Sequence, residues 1–189
     1  MDDGKLFERL RYPLPQDDLQ LMIDFFLSRP NGIAELIDIC ATAEKSVGFH
    51  AAWVLDHLFE RRPELLTDWI FTIIGKMPGV SNLSVRRHFA RIVNLTLGKN
   101  GSRDVFLSKK HSHDVELLAE VCFGWLLDSK TPVAVKAHCM DILMYFAPTN
   151  SWVKEELPNV IRLLMIDATP GVASKSKKVL NQLASYDAN

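Results

Sequence analysis

Four nitrogen-bearing side chains recur at one register position: His50, His88, His138 and Lys175. Each stands three residues after a valine that heads an apolar stripe: Val47, Val85, Val135 and Val172. Three residues further on come Trp53, Arg91, Asp141 and Lys178, and four beyond those His57, Leu95, Tyr145 and Gln182. An imidazole can donate and accept hydrogen bonds, and a guanidinium offers a planar fork to a carboxylate or phosphate. Indole and phenol rings add apolar area with one polar atom. Such a set suits recognition. At about 100° per residue the three positions share one flank of a helix, roughly 80° or more from the centre of its stripe. The candidate binding residues are therefore His50, Trp53, His88, Arg91, His138, Asp141, Tyr145, Lys175 and Lys178.

Bond-making chemistry is poorly served. There is no Gly-x-Ser-x-Gly, phosphate-binding glycine loop, His-Glu-x-x-His or Cys-x-x-Cys. Glu155-Glu156 is expected to be a solvated helix turn, so no catalytic residue is assigned. Metal ligation is not expected either. His50 and His57 lie two turns apart and cannot chelate one ion without a third element, and His111-x-His113 lacks a neighbouring Cys or acidic ligand. No cofactor is implied. Trp69, Trp125 and Trp152 are expected in the core.

The elements that must position the recurring side chains follow from the stripes. Val85, Phe89, Ile92, Val93 and Thr96 sit at offsets 0, 4, 7, 8 and 11, one face of a 3.6-residue helix. The template fits again at Val47, Ala51, Val54, Leu55 and Leu58, and at Val135, Cys139, Ile142, Leu143 and Phe146. Val172, Ser176, Val179, Leu180 and Leu183 fit it with one polar substitution. The starts are 38, 50 and 37 residues apart, a beat of paired helices with one longer step. Second helical patterns, such as PELLTDWIFTIIGKM and HDVELLAEVCFGWLLD, alternate with the stripes. Turn signals stand at Pro78-Gly79, Ser129 to Pro132 and Pro170-Gly171. Period-2 alternation is almost absent. The expected fold is all-α: a right-handed solenoid of about nine helices in antiparallel pairs, as one domain over 1–189. Residues 1–15 read as an irregular lead-in, and 98–114, rich in Gly, Ser and charge, as a surface insertion.

A helix that starts Val-Arg, then has a small or apolar residue and an aliphatic pair, resembles the second helix of a HEAT repeat. Val85-Arg86 matches directly and Val135-Lys136 conservatively, while Val47-Gly48 and Val172-Ala173 keep only the valine. AAWVLDHLFERRPEL and PVAVKAHCMDIL resemble small bacterial HEAT-like proteins. Some of these carry an adenylosuccinate lyase label by similarity, but that enzyme's Ser-Ser-x-Met-Pro-x-Lys loop has no counterpart. The resemblance implies a HEAT-like, armadillo-type superhelix whose second helices line a concave surface. In such a stack Arg86 and Lys136 are expected to lie on apolar surface and bond carboxylates or loop carbonyls, tying repeats together.

Composition bounds the function. A formal net charge of −1 provides no global field for nucleic acid or anionic membrane. No apolar run is long enough to span a bilayer. MDDGKLFERL lacks the apolar core of a signal peptide, and three widely spaced cysteines read as buried thiols of a reducing compartment, so a cytoplasmic location is expected. The expected function is a non-enzymatic scaffold that binds an unidentified protein or peptide on its concave surface. The alternative is nucleic-acid binding similar to the HEAT-like DNA alkylation-repair glycosylases, because Trp53, Arg91, Asp141, Lys175 and Lys178 supply aromatic, basic and acidic groups on one flank.

Overall fold

In a computed structural model the structure describes residues 3–98 and 102–187. Among them are eleven α-helices and no strand, against the nine or so helices expected. The chain divides into two compact units, Met1–Ile92 and Val93–Asn189.

The first unit holds α1 (Asp3–Leu10), α2 (Gln16–Leu27), α3 (Gly32–Thr42), α4 (Lys45–Arg61), α5 (Leu66–Lys76) and most of α6 (Leu83–Leu97). α3 packs on α4 across a connection of only Ala43 and Glu44, which forces the two to run antiparallel. α1 and α2 also pack on α4, and α5 on α3. The stripe on α4 is core: Ala51, Val54, Leu55 and Leu58 are fully buried and Val47 nearly so. Gly48, where the valine–cation pattern lapses, has a physical reason. A Cβ there would stand 3.2 Å from the Cys40 carbonyl oxygen on α3, so the close α3–α4 approach leaves little room for a side chain.

The second unit holds the end of α6, then α7 (Ser102–Leu107), α8 (Ser112–Leu127), α9 (Val133–Phe146), α10 (Ser151–Leu164) and α11 (Pro170–Asp187). α8 pairs with α9, α10 with α11, and α9 contacts both α10 and α11. Val135, Cys139, Ile142 and Leu143 are fully buried. On α11, Val172, Val179 and Leu183 are buried, and so is Ser176, the one polar member of its stripe.

The two extra helices lie where irregular chain was expected. In α1, Leu6 and Leu10 are one turn apart and both fully buried, so an eight-residue segment too short to show a period still has an apolar face. In the expected insertion, α7 carries Phe106, 2% exposed, with its ring edge-on to Phe146 at 5.9 Å. One buried aromatic outweighs a polar composition here, since it removes some 150–250 Å² from water. Residues 99–101 of that segment lie outside the described residues.

Candidate functional site

Within the first unit, the flank of α4 and the facing flank of α6 meet at a buried carboxylate. Asp56 on α4 is 5% exposed. A carboxylate this deep requires donors, because its desolvation costs several kcal/mol if it is left unpaired. His88 Nδ1 donates to it at 2.8 Å, and Arg91 bonds it while also reaching Glu60. Burial works against the charge of Arg91, but the hydrogen bonds it donates to Glu60 and Asp56, and the charges of those two carboxylates, outweigh that and raise its pKa above the ordinary value. His50 is equally enclosed, and its Nδ1 donates to the Leu10 carbonyl at the end of α1 at 2.7 Å. The Phe49 ring neighbours both histidines, with centroids 5.0 Å from His50 and 6.0 Å from His88. Trp53 is half-buried, edge-on to His57, whose Nδ1 donates to the Trp53 carbonyl at 3.1 Å.

The second unit repeats the device with softer chemistry. Asn94 Nδ2 is 3.2 Å from Nδ1 of His138 on α9, and Lys175 on α11 bonds Asp141 on α9. Tyr145 is half-buried with its ring edge-on to Phe146 at 5.2 Å, and Lys178 is exposed. The structure thus gathers His88 and Arg91 around Asp56 and pairs Lys175 with Asp141. His50, Trp53 and Lys178 are not brought into those clusters.

Sequence reasoning missed the partners. Asp56 and Asn94 each sit nine residues after one heading valine and receive the ring three residues after the next. Setting the stripes in register at that offset shows the acid and the amide directly. Arg86 and Lys136 do bond carbonyls, Val80 and Leu126, each at 2.8 Å. Val80 lies on the segment that leads into α6, so Arg86 fastens that helix to its own approach, whereas Leu126 lies in the last turn of α8, so Lys136 ties α9 to the helix before it. Trp125 is buried as expected, whereas Trp152 is 42% exposed and packs edge-on against Phe123 at 5.2 Å.

These groups can hydrogen-bond and carry charge, and their first use is to join neighbouring helices. Burial pushes the Cys40 and Cys122 thiols well above their ordinary range, which removes them as thiolate nucleophiles. Among the described residues no three His, Cys, Asp or Glu side chains gather to hold a metal, and no helix is long and apolar enough to cross a membrane.

No curated protein and no solved structure matches the chain. The HEAT repeat domain family matches residues 6–183, nearly all of it. With its paired helices and buried stripes, the chain belongs to the HEAT repeat domain family.

Proposed function

We propose that this protein is a non-enzymatic scaffold that binds a protein or peptide, with the binding surface on the exposed flanks of its second helices. The observation that carries the proposal is the repeat architecture over residues 6–183. Repeats of this kind have a core that each repeat shares only with its neighbours, which leaves a large surface for its length. The candidate contacts are His50, Trp53, His88 and Arg91 in the first unit and His138, Asp141, Tyr145, Lys175 and Lys178 in the second. Those with free edges contribute most: Arg91 and Asp141 keep 32% and 40% of their side chains exposed. Three buried free cysteines support work in a reducing, cytoplasmic setting.

The test is capture from a nuclease-treated native lysate on the immobilised chain, followed by calorimetry with each purified candidate. A saturable complex with one protein, weakened by Arg91→Ala, is the expected result. If the chain retains nucleic acid instead, with affinity falling steeply with salt, the glycosylase-like alternative replaces this proposal.

A further inference from the structure

The first turn of α4 has no cap. Glu44 occupies the capping position but makes no side-chain capping bond. The first intrahelical bond runs from the Gly48 N–H to the Glu44 carbonyl at 2.8 Å, so the amides of Lys45, Ser46 and Val47 have no intrahelical acceptor. Asn82 accepts from the Ser84 amide at 3.0 Å and Asn150 from Val153 at 3.1 Å, but the starts of α2, α3, α5, α8 and α9 also lack a side-chain cap, so it is the cavity in front of α4 that sets its start apart. With 17 residues, α4 also presents the full positive end of a helix dipole. Its first turn borders a cavity of about 420 Å³ lined by Glu44, Lys45, Ser46, Phe49, His50 and Ser84.

A second, separate observation points into the same space. His50 lines this cavity although it is only 8% exposed. The Leu10 carbonyl fixes Nδ1 as a donor, and Nε2 has no partner among the described residues. An imidazole held this way donates from Nε2 only when it is protonated. The charged groups around it are Glu44 and Lys45 on its own helix, Arg11 beyond α1, which engages Glu44 at 3.1 Å, and His88 on α6, which also neighbours the Phe49 ring.

We infer that this cavity binds the carboxylate of an acidic peptide side chain together with one proton on His50 Nε2. The free amides donate to the carboxylate and Lys45 adds a positive charge. Among the described lining residues the acid is Glu44, which is already engaged by Arg11. Phe49, 38% exposed, offers its ring to the methylene neck of the side chain, a contact that a bare phosphate cannot use. The inference rests on the peptide-binding proposal and gives the partner's chemistry: an acidic residue beside an apolar one.

The experiment is an amide NMR titration of the full chain with two blocked dipeptides, acetyl-Leu-Asp-amide and acetyl-Leu-Asn-amide, and with inorganic phosphate, at fixed ionic strength. The Asp dipeptide is expected to shift the Lys45, Ser46 and Val47 amides saturably, and the Asn dipeptide to bind about tenfold more weakly. Binding is expected to weaken as the pH is raised, because the carboxylate is bound together with one proton. His50→Gln keeps a donor for Leu10 and should abolish that pH dependence. Glu44→Asp keeps the charge but supplies a capping side chain that competes for the same amides, so it should weaken binding about fivefold. Equal binding of the two dipeptides, saturation by phosphate alone, binding that does not change with pH, or an unaffected Glu44→Asp variant would each overturn the inference. A melting curve shows whether His50→Gln is folded; if it is not, Glu44→Asp decides. Absence of saturation removes this site but leaves the scaffold proposal to the lysate capture.

Discussion

Replacing Arg91 by Met should destabilise the first unit, and the loss should be smaller when Asp56 is also changed. Asp56 is 5% exposed and is held by Arg91 and His88, whose side chain is 13% exposed. Removing one partner of a buried ion pair costs about 3–5 kcal/mol. Arg91 is itself 32% exposed, so water can take part of its place, and the expected loss is about 2 kcal/mol. Asp56→Asn removes the charge that Arg91 answers but leaves an oxygen for His88, so the double variant should be less destabilised than the sum of the singles by about 1 kcal/mol or more. The assay is urea unfolding followed by both circular dichroism and tryptophan fluorescence, because a chain with two compact units need not unfold in one step. Simple additivity within about 0.5 kcal/mol would show that the two residues do not share a network, and would refute the buried tie.

The contrasting pair, Lys175 and Asp141, is more open at 21% and 40%, so Lys175→Met should cost no more than about 1 kcal/mol in the same assay. Phe106→Ala should cost about 3 kcal/mol, because a buried ring packed on Phe146 is lost; unchanged unfolding would mean that α7 is not part of the second unit's core. The native protein should react very slowly with a thiol reagent near pH 8, since burial raises the pKa of Cys40 and Cys122 and keeps the thiolate fraction low, and unfolding should release all three thiols. Rapid reaction of the folded chain would contradict that burial.

The stripes were legible because an apolar side chain at an interior helical position has one use. Of the five stripe positions on α6, from Val85 to Thr96, every one is fully buried. α1 and α7 were not legible, since eight and six residues give too few turns for a period, and their anchors, Leu6, Leu10 and Phe106, only acquire meaning from distant partners. The recurring histidines were visible as a column, but their partners depended on how the next helix packs. A ring three residues after one heading valine meets Asp56 or Asn94 nine residues after the valine before, a relation set by the offset between stacked helices. The uncapped start of α4 was hidden because Glu44 is an ordinary residue whose side chain happens to engage Arg11 elsewhere.

Hydrogen–deuterium exchange on the chain with and without its captured partner tests the central proposal most directly, that binding uses the flanks of the second helices. Amide exchange is expected to slow in α4, α6, α9 or α11, on peptides that contain the candidate contacts, while α3, α5, α8 and α10 remain unchanged. Protection confined to those first helices, or no protection by a partner that binds, would contradict it.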